Sequence, residues 1–125
     1  MGNACTHVVL RGGSEGPNYD TESVSGVRKS LDERELTGAA IVIDCSHGNS
    51  GKDYKKQRDV LSAILNQTPR LIRGFMLESN IMPGSQTLDP ENVPALQAGV
   101  SITDGCIGME ETKELLERAS RILGE

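Results

Sequence analysis

Hydrophobic and polar positions along this chain predict three successive strand-and-helix units. Short apolar runs occur at residues 7–10, 39–43 and 71–77, and each is followed by a polar or glycine-containing stretch. Runs of this length and composition are typical of buried strands. Equivalent points of the runs, Val8, Val42 and Phe75, are separated by 34 and then 33 residues. That spacing is typical of parallel strands connected by helices, as in an open sheet or a barrel.

Helical periodicity follows each of the three strands. Residues 21–36 form the first predicted helix, with Gly38 beyond its end, and residues 54–66 form the second, stopped by Thr68 and Pro69. The clearest helix is the last, with one apolar stripe formed by Leu115, Leu116, Ala119, Ile122 and Leu123. Before it, residues 81–95 read as a proline-rich loop, and residues 99–103 as a short extended piece. The pattern predicts an α/β fold in one segment over residues 1–125.

Composition agrees with a modest globular α/β segment. Hydrophobic residues make up 36% and charged residues 25% of 125 residues, so disorder is not indicated. Phe75, Tyr19 and Tyr54 are the only aromatic residues, and the net charge is −5. With so few aromatic rings to stack on bases and no long basic run, a nucleic-acid surface is not expected.

Cysteine usage and hydropathy favour a cytoplasmic protein. Cys5, Cys45 and Cys106 are odd in number and far apart in sequence, so they predict neither a disulfide framework nor a zinc ribbon. No apolar run approaches the roughly 20 residues of a membrane span, and the N-terminus lacks the order of a signal peptide. We expect no membrane partner.

Each predicted strand is followed by a side chain capable of chemistry. Arg11 follows the first strand, His47 the second and Glu78 the third, while Asp104 closes the short extended piece. Because parallel strands place their carboxyl ends at one edge, we expect these four side chains to converge there. One imidazole and two carboxylates are suitable ligands for a divalent metal such as Mn²⁺, Fe²⁺ or Co²⁺. Arg11, followed by two glycines, suits a phosphate or a carboxylate.

A structural role is also open for each of these residues when it is considered alone. Arg11 could pair with a core carboxylate, Asp104 could cap a turn, and Glu78 could be a solvated loop acid. Residues 46–51 could be an ordinary polar loop, with His47 one of its solvated members. The Arg11 loop lacks the glycine patterns of nucleotide-binding motifs, so nucleotide binding has no support.

Four motifs, in this order and spacing, give the chain a family resemblance. They are Leu10-Arg11-Gly12-Gly13 with Pro17-Asn18-Tyr19-Asp20, Asp44-Cys45-Ser46-His47-Gly48-Asn49-Ser50 with Lys52-Asp53-Tyr54, Leu77-Glu78-Ser79-Asn80 with Gly84, and Ser101-Ile102-Thr103-Asp104 with Cys106-Ile107-Gly108. Over essentially its whole length the chain resembles the C-terminal part of 3-deoxy-D-arabino-heptulosonate 7-phosphate (DAHP) synthase, of the aromatic-amino-acid-sensitive class I type.

The resemblance implies a partial TIM (β/α)₈ barrel, with strands similar to the sixth, seventh and eighth. It implies condensation of phosphoenolpyruvate with erythrose 4-phosphate, the first step of the shikimate pathway, in an enzyme expected to be a homo-oligomer. His47, Glu78 and Asp104 would be ligands of a divalent metal that polarises the aldehyde. By the same resemblance His47 and Asp104 are catalytic residues, and Arg11 and His47 bind phosphoenolpyruvate.

The departures from the family pattern are also informative. The family's cysteine metal ligand and several phosphate-binding residues belong to an upstream half that this chain lacks, and Gly105 and Met109 replace the usual alanine and tryptophan. A TIM barrel needs about 250 residues. We therefore expect a C-terminal segment with little or no activity alone. Two alternatives are a non-catalytic α/β binding or regulatory module, and one half of a split enzyme whose other strands come from a second chain.

Overall fold

The computed structural model describes residue 3, residues 6–67 and residues 71–124. Its regular elements are three strands and three helices, with 3₁₀ turns at Tyr54–Lys56 and Val93–Ala95. In chain order the elements are β1 (His7–Leu10), α1 (Thr21–Asp32), β2 (Ala40–Asp44), α2 (Gln57–Leu65), β3 (Ile72–Met76) and α3 (Met109–Leu123).

The three strands form a parallel sheet in the order β1-β2-β3. Val9 of β1 aligns with Val42 of β2, and Val42 aligns in turn with Gly74 of β3. Helix α1 connects the first two strands and α2 connects the last two. The α/β fold predicted from the sequence is confirmed, and the loops that follow the three strands leave the same edge of the sheet.

The core is aliphatic, as the scarcity of aromatic residues requires. Ile41 and Ile43 of β2 are fully buried, and the intervening Val42 is only partly buried, as expected for side chains that alternate between two faces. The helices contribute buried apolar side chains to this core, with Val24 and Leu31 from α1, Val60, Leu61 and Ile64 from α2, and Leu115 and Ala119 from α3. The periodicity therefore identified most of the interior positions, with exceptions at Leu36 and in the apolar stripe of α3.

Helix α1 ends four residues before the predicted end at Leu36. Leu31 O accepts hydrogen bonds from the N–H of both Arg34 and Leu36, the latter at 2.9 Å, and Glu35 has a left-handed φ of 59°. This six-residue closure is the Schellman arrangement, which satisfies carbonyl groups at a helix end. The Arg28 guanidinium then binds the carbonyls of Leu36 and Ala39 at 3.0 and 2.8 Å. Leu36 is accordingly 44% exposed rather than part of the helical face.

Residues 99–103, predicted as a short extended piece, form no regular strand. Ser101 makes an isolated parallel bridge with Ser85, and the segment otherwise consists of turns and bends. The predicted loop at residues 81–95 is confirmed apart from its 3₁₀ turn. The predicted stop at Thr68 and Pro69, like Cys5, lies outside the described residues.

Helix α3 has the predicted apolar stripe but buries only part of it. Leu115 is 1% exposed, whereas Leu116, Ile122 and Leu123 are each about half exposed. Arg58 of α2 ties the two helices together through ion pairs with Glu111 and Glu114, each at 3.0 Å. None of the described helices combines the length and apolarity needed to cross a membrane.

Candidate metal site

His47 lies in a tight, hydrogen-bonded turn directly after β2. Its φ is 49°, a left-handed value that is uncommon for a residue with a side chain. The carbonyl of His47 accepts bonds from the Lys52 N–H at 2.7 Å and the Ser50 hydroxyl at 3.2 Å. Ser46 and Ser50 are buried, and the His47 side chain is 25% exposed. The turn is thus an ordered part of the fold and not a solvated polar loop.

A buried carboxylate holds the imidazole of His47. Asp44, the last residue of β2, is 3% exposed. Its Oδ2 lies 2.7 Å from His47 Nδ1, and its Oδ1 accepts bonds from the Ser46 N–H at 2.8 Å and the Ser46 hydroxyl at 2.7 Å. The opposite ring nitrogen, Nε2, is the one that faces the other candidate ligands.

Glu78 reaches the site from the end of β3. Its Oε1 is 3.4 Å from His47 Nε2, and its side chain is 30% exposed. The fully buried Gln57, at the start of α2, donates to the Glu78 carbonyl at 3.1 Å and accepts from the Glu78 N–H at 2.8 Å. The position of Glu78 is therefore set through its backbone by a residue of another element.

The structural element that places Asp104 near His47 differs from the one predicted. It does not end a strand; the residues that follow it pair with the loop beyond β3. Ile107 N–H donates to the Glu78 carbonyl at 2.9 Å, and Cys106 and Gly84 exchange hydrogen bonds at 2.8 and 3.1 Å. This pairing brings Asp104 Oδ2 to 3.9 Å from His47 Nε2, with the side chain 70% exposed.

The Tyr54 ring packs against the loop that carries Asp104. A Cβ atom at Gly105 would lie 2.7 Å from Tyr54 Cδ1, so the ring can sit there because residue 105 has no side chain. Gly105 is one of the two departures from the family pattern, and this contact shows its structural consequence. It lets the Tyr54 ring support the Asp104 loop.

Together these three side chains form a group suited to a metal ion. One ligand atom each from His47, Glu78 and Asp104 lies within 4.8 Å of the others. They border a cavity of about 40 Å³, which is also lined by Ser46, Ser50, Lys52, Tyr54 and Gly105. An imidazole nitrogen and two carboxylate oxygens are donors that Mn²⁺, Fe²⁺ or Co²⁺ accepts, so the residues fit a divalent metal. The convergence of these three predicted residues is confirmed.

Arg11 is the fourth residue that was expected to converge here, and its side chain does not line the cavity formed by the other three. Its side chain is exposed, and it is absent from the described residues that line the cavity. Its backbone is well anchored, because Arg11 O accepts from the Asn49 N–H at 3.2 Å. Asn49, 4% exposed, also donates to Leu10 O at 3.0 Å and to Asp44 O at 2.8 Å. The predicted role of Arg11 in phosphate binding stays a prediction.

The loops after β1 and β2 touch backbone to backbone. A Cβ atom on Gly12 would lie 2.5 Å from the carbonyl carbon of Gly48, and Gly12 has φ +76°. The Gly12 N–H donates to Asn18 Oδ1 at 2.8 Å, and the Asn18 N–H donates to Asn49 Oδ1 at 2.9 Å. The two glycines therefore allow the Arg11 loop to lie directly against the His47 turn.

Sequence reasoning did not identify Asp44 and Gln57 as parts of the site. Both side chains are buried, and each forms hydrogen bonds with a candidate ligand residue. A signal for Asp44 was present, since a carboxylate three residues before a candidate histidine ligand can reach its ring. Gln57 and Glu78 are 21 residues apart, and no local pattern indicates their contact.

The two described cysteines are free thiols, and both have raised pKa values. Burial, followed by the nearby negative charge of Asp44, raises the pKa of the fully buried Cys45 to about 12. Burial also raises the pKa of Cys106, whose Sγ lies 3.5 Å from the Asp104 carbonyl oxygen. Cys45, directly after β2, is a small core residue.

Comparisons with known proteins identify the family of this chain. The DAHP synthetase I family profile matches residues 1–117. The phenylalanine-inhibited phospho-2-dehydro-3-deoxyheptonate aldolase of Saccharomyces cerevisiae is 44% identical over 123 residues, which cover 93% of this chain and 33% of that enzyme. The Phe-sensitive enzyme of Escherichia coli is 42% identical over 120 residues, covering 94% of this chain and 33% of the relative.

A solved structure gives the same result at the level of the fold. The phospho-2-dehydro-3-deoxyheptonate aldolase of Francisella tularensis superposes with a TM-score of 0.89 at 41% identity, over 97% of this chain and 35% of that one. The chain thus spans about one third of the length of the relatives it matches. With three candidate ligands at one edge of a parallel sheet and a profile match over nearly all its residues, the chain belongs to the DAHP synthetase I family.

Proposed function

We propose that this chain supplies three metal ligands and one phosphate-binding arginine to a DAHP synthase active site. The enzyme would condense phosphoenolpyruvate with erythrose 4-phosphate and release phosphate, at the entry to aromatic amino acid biosynthesis. The observation that carries the proposal is the approach of His47, Glu78 and Asp104, whose ligand atoms lie within 4.8 Å of one another. Family membership supports this reaction over a purely structural use of the three side chains.

The residues would divide the chemistry among them. His47 Nε2, Glu78 and Asp104 would hold a divalent ion, whose contribution when bound is to act as a Lewis acid toward the aldehyde oxygen of erythrose 4-phosphate. Arg11, at the same edge of the sheet, would bind the phosphate of phosphoenolpyruvate through charge-assisted hydrogen bonds and orient its enol carbon. His47 would also contact phosphoenolpyruvate. The identity of the ion is open among Mn²⁺, Fe²⁺ and Co²⁺.

We further propose that β1, β2 and β3 correspond to strands six to eight of an eight-stranded barrel. A TIM barrel requires about 250 residues and places its active site at the carboxyl ends of the strands. The superposition on one third of the F. tularensis enzyme supports this placement. The remaining substrate-binding groups would come from the other strands, so the 125 residues alone would have little or no activity. Homo-oligomerisation and a cytoplasmic location stay predictions.

The test is a chimeric enzyme in which this chain replaces the matching third of the E. coli relative. Release of phosphate from phosphoenolpyruvate, dependent on erythrose 4-phosphate and Mn²⁺, is expected of the chimera. His47→Ala should abolish it, and His7→Ala is the matched control, because His7 is exposed at the start of β1. A folded chimera that binds Mn²⁺ but is inactive, or one whose activity survives His47→Ala, would contradict the proposal.

A further inference from the structure

We infer that Asp44 is a positioning residue that keeps His47 in the tautomer protonated on Nδ1, so that Nε2 presents its lone pair toward Glu78 and Asp104. The inference deepens the proposed function, because it concerns how the chain prepares one ligand of the same metal site. It rests on the hydrogen bonds of the Asp44, Ser46 and His47 side chains.

The hydrogen-bond donors and acceptors of these three side chains favour one tautomer of His47. Ser46 Oγ lies 2.7 Å from Asp44 Oδ1 and also 2.7 Å from His47 Nδ1. The hydroxyl has a single proton, and a carboxylate can only accept, so the proton belongs in the bond to Asp44. Nδ1 then faces two oxygen atoms that can accept, Ser46 Oγ and Asp44 Oδ2, the latter at 2.7 Å. A proton on Nδ1 satisfies both contacts.

The opposite tautomer, with the proton on Nε2, creates a buried repulsive contact between Nδ1 and the Asp44 carboxylate. With Nδ1 unprotonated, its lone pair would face the Asp44 carboxylate at 2.7 Å. Asp44 is 3% exposed, so little water is available to screen that repulsion. The Ser46 N–H also binds Oδ1 at 2.8 Å and keeps the carboxylate from rotating away. The buried side of the ring therefore favours a proton on Nδ1.

On the exposed side of the ring, a metal ion held by Nε2, Glu78 and Asp104 would require the lone pair that this tautomer provides. Nε2 is 3.4 Å from Glu78 Oε1 and 3.9 Å from Asp104 Oδ2. A neutral imidazole binds a metal only through its unprotonated nitrogen, and a carboxylate on the other nitrogen fixes both the tautomer and the ring orientation. Asp44 thereby acts through His47 and would not touch the metal or the substrates.

A structural role for Asp44, as an acceptor that only closes the Ser46 turn, makes a different prediction. In Asp44→Asn the amide has one accepting end and one donating end. The Ser46 N–H and a protonated Nδ1 both require an acceptor, so the amide can serve only one of them properly. If the carbonyl end serves Ser46, the NH₂ end faces Nδ1 and favours the opposite tautomer. A turn-closing role alone would leave the tautomer of His47 unchanged.

The experiment is long-range ¹H–¹⁵N correlation NMR of the metal-free chain at a pH where its two imidazoles are neutral. His7, exposed and distant in the fold, serves as the internal reference within the same spectrum. We expect the Nδ1–H form at His47 in the wild type and an increased Nε2–H fraction in Asp44→Asn. Asp59→Asn, which removes an equal charge from an exposed position on α2, should leave the His47 signals unchanged.

Mn²⁺ affinity is the second readout. Loss of a carboxylate that orients a histidine ligand typically weakens metal binding by about 10–100-fold, and we expect that loss in Asp44→Asn but not in Asp59→Asn. A wild-type His47 protonated mainly on Nε2 would overturn the inference even if Asp44→Asn failed to fold. Failure of the chimeric enzyme to bind Mn²⁺ would instead contradict the proposed metal site, and the tautomer measurement would still decide the role of Asp44.

Discussion

The side-chain amide of Gln57 bonds both backbone polar groups of Glu78. It accepts from the Glu78 N–H at 2.8 Å and donates to the Glu78 carbonyl at 3.1 Å, with Gln57 fully buried. The first residue of α2 is thereby joined to the loop that follows β3. A candidate ligand side chain is held through its backbone, which leaves its carboxylate free to face His47.

We expect Gln57→Leu to weaken both the fold and the site. Leucine retains bulk and apolar contacts but leaves the Glu78 N–H without its partner, and an unpaired buried polar group costs about 1–3 kcal/mol. The free energy of unfolding, measured by urea titration, should fall by that amount, and Mn²⁺ affinity should fall with it. Gln97→Leu is the control, because residue 97 is exposed. An unchanged Mn²⁺ affinity in a folded Gln57→Leu protein would count against the positioning of Glu78.

The close contact between Gly12 and Gly48 predicts a large effect from a single methyl group. In Gly12→Ala the new Cβ would lie 2.5 Å from a backbone carbon, and the residue would keep φ +76°. Overpacking and left-handed strain each cost about 1–3 kcal/mol, so we expect a loss of at least about 2 kcal/mol in the free energy of unfolding. Gly13→Ala, where a Cβ meets nothing within 4 Å, should be nearly neutral. Equal stability of the two variants would show that the loops do not pack as described.

The N-cap of α1 predicts a pH-dependent contribution to stability. Asp20 accepts from the Ser23 hydroxyl at 2.6 Å and the Ser23 N–H at 2.9 Å, and these bonds hold the pKa of its carboxyl below the ordinary value. A depressed folded-state pKa gives stability that is present above the unfolded pKa and is lost as pH falls through the folded one. Asp20→Ala should therefore cost about 1 kcal/mol near neutral pH and progressively less below about pH 4.

An asparagine at position 20 distinguishes the contribution of the N-cap hydrogen bond from that of the carboxylate charge. Asp20→Asn keeps an oxygen that accepts from the Ser23 N–H and does not titrate, so its advantage over Asp20→Ala should persist in acid. Urea titrations of the wild type and both variants at about pH 7 and about pH 3 provide the comparison. A gap between wild type and Asp20→Ala that does not change with pH would be inconsistent with a carboxylate cap.

The raised pKa of Cys45 predicts that its thiol is alkylated slowly in the folded protein. Because the thiolate is the nucleophile, a fully buried cysteine with a pKa of about 12 should react far more slowly with iodoacetamide than the partly exposed Cys106. Peptide mass mapping after alkylation near neutral pH should find Cys106 modified before Cys45, and Cys45 modified only in denaturant. Comparable rates in the folded protein would indicate that the core around β2 opens readily.

Local pattern alone determined most of the secondary structure of this chain. The strands around Val9, Ile43 and Phe75 and the buried faces of the helices follow from apolar periodicity, which depends on neighbouring residues only. His47 and Glu78 were identifiable because they follow those strands directly. The end of α1 was placed wrongly, because Arg28 and the turn at Glu35 close the helix before Gly38 is reached.

Tertiary structure alone decided how the candidate ligands meet. Asp104 is near His47 because Cys106 and Ile107 pair with the loop after β3, and not because a strand ends there. Gln57 reaches Glu78 across 21 residues, and Asp44 acts on a ring whose direction depends on the turn. Sequence specifies which residues are apolar and which can ionise. The distances between side chains far apart in sequence depend on how the sheet, helices and loops pack, and no local pattern contains that information.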